Sequence, residues 1–348
     1  MERENIIKEA LELYSTTDMN SISEAALKIR KAFNGNKVYY NNNFHIEPSN
    51  ICVHRCKFCS YRRDNPSQPG AWSMTLEDVR NYCREKFQKG MTEVHVVGSV
   101  HPEKSIDYYI SIISLLRKEL PNEVTIKAYT AVEIDDMARY SGQSVEYILN
   151  KLKDAGLSAM PGGGAEIFDS DIRKQICPDK CNAERWIEIH RTAHKLGIKS
   201  NATMLFGHIE NRRNRLNHML KILELQEETG GFDAFIPLLF KSANNQLSYL
   251  GEIGFVEILK TFAVSRVVLN NIPHIKSYWP MLGKDLSQLT LLYGADDMDG
   301  TINNSTKIYS MAGSHANPEM SSEEIENMAR ECGFIAIERD SFYNEVKK

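Results

Sequence analysis

His45-Ile46-Glu47-Pro48-Ser49-Asn50-Ile51-Cys52-Val53-His54-Arg55-Cys56-Lys57-Phe58-Cys59 joins a candidate strand, Phe44–Pro48, directly to a loop holding three cysteines. In closed α/β barrels and open α/β sheets alike, active sites lie at the carboxyl ends of the strands. Unusual residues just after a strand are therefore functional candidates, and those just before one are structural.

Outward from this stretch the same unit recurs. Further strands are expected at Glu93–Gly98, Thr125–Thr130, Leu157–Pro161, Ser200–Phe206, Phe232–Phe240, His274–Trp279 and Ala295–Gly300. Amphipathic helices are expected at Leu76–Lys89, Ile106–Leu120, Val145–Asp154, Ala183–Leu196, Arg215–Glu228, Val256–Asn270, Leu286–Leu292 and Ser322–Glu331. Glycines stand where most of these helices should end, as left-handed closure prefers. Residues 1–43 read as a helical extension, with apolar helical spacing over Ile6–Tyr14 and Ser21–Phe33. Eight strands alternating with eight helices is the count of a (β/α)8 TIM-type barrel, expected over 44–343 as one domain, with 344–348 a tail. An open doubly wound sheet has the same local pattern, so periodicity alone leaves closure open; the count favours the barrel.

Composition narrows the partners. With 42% hydrophobic and 25% charged residues the chain is of globular type, and its net charge of −4 gives no broad basic surface for nucleic acid. No apolar run has the length of a membrane span, and the first residues lack a signal-peptide core, so a cytoplasmic protein is expected. Seven cysteines, an odd number, argue against a disulfide framework. Cys83, Cys177, Cys181 and Cys332 are scattered and read as packing thiols.

Cys52, Cys56 and Cys59 have the spacing C-x3-C-x2-C. A structural zinc site wants a fourth ligand, usually in a second paired motif; only a remote histidine such as His54 or His101 offers itself. Three buried, unligated thiols are the other plain reading. A [4Fe–4S] cluster held by these three thiolates instead leaves one iron open to the amino and carboxylate groups of S-adenosylmethionine. An electron from the cluster then opens the sulfonium bond to give a 5′-deoxyadenosyl radical. The hard chemistry is the cofactors' and the placement is the protein's.

Other strand ends carry candidates. Gly98-Ser99-Val100-His101-Pro102 follows the second strand, with His101 either a substrate group or a plain loop residue. Glu133 follows the third. Pro161-Gly162-Gly163-Gly164-Ala165-Glu166 follows the fourth; Glu166 would repel phosphate but suits ribose hydroxyls or an ammonium, or caps a helix. Gly207-His208-Ile209-Glu210 ends the fifth, where Glu210 has Arg212 or Arg213 as alternative partners. His190 and His194 lie four apart on a helix but lack the glutamate of a zinc-protease pair, so core or surface roles are expected. Cys177 and Cys181 are too few for a second cluster.

Taken together these stretches resemble the radical SAM enzymes of menaquinone biosynthesis, and among them the aminofutalosine (aminodeoxyfutalosine) synthase family. The resemblance is carried by residues 45–52, Gly70-Ala71-Trp72, Thr130–Ile134, Pro161–Phe168, Ala202–Glu210, Gly231–Leu238, His274–Trp279 and Asp297–Thr301. It covers nearly all of 44–343. It implies that Cys52, Cys56 and Cys59 hold the cluster. Phe58, Gly98, Ser99, Glu133, Glu166, Gly207 and Glu210 are implied to bind S-adenosylmethionine, Phe58 near the adenine. His101 and His208 are implied to act on substrate. The implied reaction is radical addition to 3-[(1-carboxyvinyl)oxy]benzoate, an aromatic enol-ether dicarboxylate, with rearrangement and decarboxylation to 6-amino-6-deoxyfutalosine. An electron donor such as flavodoxin or ferredoxin is implied as well. Lys276, Arg62 and Arg63, with the two histidines, are candidates for the substrate carboxylates. Rival readings are the dehypoxanthine futalosine cyclase, which tends to carry tryptophan where Leu238 stands, a cofactor F420-type coupling enzyme, and a non-catalytic metal protein. Two departures stand out: Gly98-Ser99-Val100 replaces the usual Gly-Gly before the His-Pro pair, and Thr301–Ser305 replaces a more acidic stretch.

Overall fold

The computed structural model describes residues 2–301, 306–308, 310–314 and 319–346. Of the departure at 301–305, all but Thr301 falls outside them, as does the 347–348 end of the tail. Ten strands are present among the described residues: β1 (Lys37–Asn41), β2 (Asn43–Ile46), β3 (Glu93–Val96), β4 (Thr125–Ala128), β5 (Ala159–Met160), β6 (Lys199–Phe206), β7 (Phe232–Leu239), β8 (His274–Ile275), β9 (Asp297–Gly300) and β10 (Ile335–Arg339). β2 to β8 form one parallel sheet in chain order. The register runs straight across its first strands, with His45 opposite His95 and His95 opposite Lys127. The intervening helices are Leu76–Lys86, Ile106–Glu119, Val145–Ala155, Ala183–Lys195, Arg212–Thr229 and Phe255–Val268. Such strand–helix–strand crossovers are what parallel neighbours require. Gly156 and Gly230 close two of these helices in the left-handed conformation.

The eighth expected strand lies in a different ladder. β9 pairs with β1, which pairs on its other side with β10, in a separate three-stranded sheet. β8 meets β9 through one parallel bridge, Lys276 to Asp297, and a backbone bond from Ser277 N to Asp297 O of 2.7 Å. β1 then continues through Asn42 into β2. The curled seven-stranded sheet is thus brought round on itself by a seam of β9 and β1 rather than by one continuous ladder. β1 falls inside the segment expected to be purely helical: Lys37-Val38-Tyr39-Tyr40 is β-forming, but it follows the helix Met19–Asn34 after only Gly35 and Asn36. The helix Ala131–Ser141 is also additional; its start is fixed by a capping box in which Thr130 and Glu133 exchange bonds.

Alternation along the strands explains what the sheet encloses. Val94 and Val96 are fully buried, whereas His95 between them is only partly covered and lies beside His45, with ring centroids 4.9 Å apart and the rings tilted by 45°. On the same inner side Lys127 Nζ bonds Glu93 at 2.6 Å and Lys276 Nζ bonds Asp299 at 2.8 Å. The lumen is therefore polar and charge-paired, while the opposite face of the sheet packs into a continuous apolar core. Burying charges in pairs avoids the large cost of burying them alone.

Candidate active site

The cysteine loop is pinned from several strand ends. Cys52 N donates to Arg63 O (3.0 Å), Val53 N to Val100 O (3.0 Å), Lys57 N to Ile176 O (2.8 Å) and Arg55 N to Asp179 (3.0 Å). His54, buried, binds Asp136 of the helix Ala131–Ser141 through Nε2, so this nitrogen is already engaged within the protein. Gly98 sits against the root of the loop: a Cβ there would meet Ser49 O at 3.0 Å. All seven cysteines are free. Burial pushes the thiols of Cys52 and Cys56 up from their ordinary values.

Cys52, Cys56 and Cys59 open on a single cavity beneath the loop. Phe58, Gly98, Ser99, Glu133 and Glu166 line the same cavity, together with Gly163, Gly164, Arg62 and Lys180. The structure thus brings together eight of the sites chosen from sequence. Lys180 is the addition. Its ammonium bonds Glu166 Oε1 at 2.5 Å and lies 5.3 Å from the Phe58 ring centre. Burial disfavours its charge, but Cys56, Glu166 and Cys177 outweigh that and raise its pKa. Nothing local in Cys177-Pro178-Asp179-Lys180-Cys181 marks this lysine; its place comes from Arg173. That buried guanidinium donates to the carbonyls of Ala165 (2.5 Å), Gly164 (3.3 Å) and Cys181 (2.5 Å), clamping the glycine turn to the lysine loop. Glu166 itself sits at φ +47, a conformation few non-glycine residues adopt.

The glycine turn is as tight as its composition suggests. A Cβ on Gly162 would lie 2.5 Å from Asn201 O and 2.8 Å from Ala202 Cα, backbone that is itself laddered in β6. Gly162→Ala is expected to lower stability by roughly 2 kcal/mol or more, read as a drop in thermal midpoint. Gly254→Ala, where nothing lies within 4 Å, should stay within about 0.5 kcal/mol of the parent.

Glu133 accepts from Thr130 N at 2.7 Å and from Thr130 Oγ1 at 2.9 Å. Burial nevertheless raises its pKa from 4.5 to about 7. The folded chain therefore keeps this carboxyl protonated in a window where the unfolded chain has lost the proton. Folding takes up a proton there, and stability falls as pH rises from about 4.5 to about 7. Glu133→Gln should remove that slope, gaining about 2–3 kcal/mol at pH values above about 7 and little at about pH 4. Thermal midpoints of parent and variant across this range check it.

The remaining sequence candidates lie elsewhere. His101 lines a neighbouring cavity with Tyr109, Asp136 and Met137, and its Nδ1 accepts from Glu103 N at 3.1 Å. Glu210 accepts from the backbone of Gly207 (2.7 Å) and His208 (2.8 Å) and from Arg215 Nε (2.7 Å), an arrangement that closes the strand-to-helix turn. His208 Nε2 donates to Leu205 O at 3.1 Å, and burial lowers its pKa. Lys276 lies at the β8–β9 junction and is paired with Asp299. Arg63 spends its guanidinium on the carbonyls of Pro69, Ser60, Tyr61 and Arg62, whereas Arg62 reaches the cavity with a buried Nε that has no partner. His190 and His194 share Ser200 Oγ in the core, both at 2.8 Å.

The donor set fits an iron–sulfur cluster. Three free thiols line one cavity, and cysteine thiolates are the ligands that hold iron–sulfur clusters. The Glu166–Lys180 pair and the unpartnered Arg62 Nε offer complementary charge to a zwitterionic, carboxylate-bearing ligand.

Comparison with known proteins agrees. Residues 46–222 match the model of the radical SAM superfamily, and residues 229–348 that of the CofH/MqnC C-terminal region. The chain is 40% identical to the aminodeoxyfutalosine synthase of Thermus thermophilus, over 98% of this chain and 92% of that one. It is 36% identical to the 5-amino-6-(D-ribitylamino)uracil–L-tyrosine 4-hydroxyphenyl transferase of Methanopyrus kandleri, over 96% and 91%. In fold it is similar to the crystal structure of methylornithine synthase (PylB), with a TM-score of 0.73 over 94% of this chain and 93% of that one at 15% identity. The chain belongs to the radical SAM superfamily.

Proposed function

We propose that this protein is a radical SAM transferase that joins the 5′-deoxyadenosyl group of S-adenosylmethionine to 3-[(1-carboxyvinyl)oxy]benzoate. The product, after rearrangement and loss of carbon dioxide, is 6-amino-6-deoxyfutalosine of menaquinone biosynthesis. The observation that carries the reading is one cavity shared by the Cys52–Cys56–Cys59 loop and the Glu166–Lys180 pair, in a chain 40% identical to an aminodeoxyfutalosine synthase. When bound, a [4Fe–4S] cluster on the three thiolates and S-adenosylmethionine supply the electron and the radical.

This chain's own residues supply placement. Lys180 and Glu166 complement the carboxylate and ammonium of the methionine moiety, and Phe58 gives the adenine an apolar wall. Glu133, with its pKa raised by burial to about 7, presents a carboxyl that is partly protonated near neutrality and so able to donate to a ligand as well as accept. Arg62 is the group we assign to a substrate carboxylate: its Nη2 is paired with Asp64, but its Nε is buried without a partner. Holding both reactants in one cavity lowers the entropic cost of their meeting. We read residues 44–343 as the catalytic unit and the cytoplasm as its compartment; among the described residues no helix is long and apolar enough to cross a membrane.

The test is an anaerobic incubation of reconstituted protein with S-adenosylmethionine, dithionite and the enolpyruvyl benzoate, with products read by mass. The adenosylated product supports the reading. Free 5′-deoxyadenosine as the sole nucleoside, or turnover only with dehypoxanthine futalosine or with tyrosine and a ribitylaminouracil, would refute it.

A further inference from the structure

We propose that Glu47 is a positioning residue for the reaction: its carboxyl clasps the strap Thr306–Ile308 over the rim of the cavity, so that the radical meets its substrate before any other hydrogen donor. The inference rests on the reading that radical addition takes place in that cavity.

Glu47 directly follows β2, at the root of the cysteine loop. It belongs to a stretch that carries the family resemblance, yet it is not among the residues that line the cavity. Its side chain, 5% exposed, is spent on a segment far along the chain. Oε1 accepts from Thr306 Oγ1 at 2.7 Å and from Lys307 N at 3.0 Å, and Oε2 accepts from Lys307 N at 3.1 Å. Ile308 N donates to the same carboxyl. One buried group thus holds three consecutive residues. A buried carboxyl is costly unless its hydrogen bonds are made, and the strap makes them.

The strap lies where the barrel needs cover. It follows β9, at the seam where the curled sheet lacks a continuous ladder. One end is clasped beside β2. Beyond a turn closed by Met311 N to Lys307 O (3.0 Å), Asn244 Nδ2, in the segment after β7, donates to Met311 O at 2.9 Å. The strap therefore crosses the rim from the β2 side to the β7 side. Between the two ties Lys307 is exposed, whereas Ile308 lines the cavity shared by the three loop cysteines and Lys180. Trp72, also part of the resemblance, backs both halves of the clasp. Its Nε1 donates to Glu47 O at 2.8 Å, and Lys307 Nζ lies 4.8 Å from its ring centre.

The chemistry explains why this wall matters. A 5′-deoxyadenosyl radical that misses the double bond takes a hydrogen atom from a C–H or S–H group. It leaves as 5′-deoxyadenosine, and the unpaired electron stays on the donor. Productive addition needs the reacting atoms held close and aligned. Because Glu47 roots the cysteine loop and clasps the strap, the two walls are fixed relative to each other.

The experiment uses Glu47→Gln and Thr306→Val, one on each side of the clasp, in the reconstituted holoenzyme at pH 8. Burial raises the Glu47 pKa to about 7, so the carboxyl is mostly ionised there. Hydrogen exchange of the 307 and 308 amides is measured without turnover. Turnover with S-adenosylmethionine, dithionite and the enolpyruvyl benzoate is then read by mass as the ratio of 5′-deoxyadenosine to adenosylated product. Both variants are expected to exchange these amides at least about fivefold faster, as loss of one hydrogen bond implies. The ratio should rise at least about threefold, with iron content unchanged. Parent-like exchange in both variants would overturn the proposal. So would faster exchange with a parent-like ratio, which would leave Glu47 a purely structural role. Should Glu47→Gln fold poorly, seen as a lowered thermal midpoint and lost iron, Thr306→Val decides the matter by the same two measurements. A parent that cleaves S-adenosylmethionine without forming the adenosylated product would instead refute the reading on which the proposal rests, whereas the outcomes above refute the clasp alone.

Discussion

A Cys56→Ala variant, reconstituted with iron and sulfide, will lack the visible absorption of a [4Fe–4S] cluster and will not cleave S-adenosylmethionine. Cys56 is the most buried of the three loop thiols, 6% exposed, and lines the cavity. A cluster with only two protein ligands is no longer held against loss to solvent. Cys56 also packs into the apolar core, so some stability should be lost, but the loop is held by backbone bonds to Arg63, Val100 and Ile176 that do not involve the sulfur. Cys83→Ala is the contrast. That thiol is 1% exposed within the helix Leu76–Lys86 and belongs to the apolar core. Its loss should lower the thermal midpoint, as removal of a small buried side chain does, and leave iron content unchanged. Iron analysis with calorimetry on both variants separates the two roles; equal iron in Cys56→Ala and parent would refute the ligand assignment.

Lys180→Met should be the costliest single change around the cavity. It leaves the Glu166 carboxylate buried, 8% exposed, without its ammonium partner. Breaking one half of a buried pair costs about 3–5 kcal/mol, more than the pair contributes as a whole, because the remaining charge is stranded. Lys180→Met/Glu166→Gln removes both charges and should recover most of that stability. It should not recover function: KM for S-adenosylmethionine should stay raised at least about tenfold, the loss of a charge-assisted contact. Parallel recovery of stability and KM in the double variant would mean that the pair only holds the glycine turn in place.

The sequence made the strand-and-loop logic legible because that logic is local. Valine-rich segments such as Glu93–Val96, glycines at helix ends and the cysteine spacing each announce themselves within a few residues. Eight site residues meet in one cavity because they follow the carboxyl ends of strands, although that position alone does not bring His101, Gly207, His208 or Glu210 there. What was not legible depended on partners that residue type and spacing do not announce, close in the chain for Glu210, Arg63 and Lys180 and distant for β1. Glu210 has the look of a site carboxylate, but Arg215 and two amides claim it. Arg62 and Arg63 are adjacent and chemically alike, yet only the first reaches the cavity. Lys180 is an ordinary loop lysine until Arg173 folds its loop back over the glycine turn. β1 was hidden for a related reason, since its pairing with β9 and β10 joins distant parts of the chain.

The seam of β9 and β1 has a consequence for the order of events during synthesis. β1 leads straight into β2 and so into the cysteine loop, but both of its neighbours, β9 and β10, are among the last strands made. Long-range pairing of this kind is slow, because loop closure comes before its reward. Until residues 297–339 have been made, β1 has neither of its neighbours, although β2 can already pair with β3. Bringing the sheet round on itself is therefore a late step, available to the finished chain and withheld from the growing one.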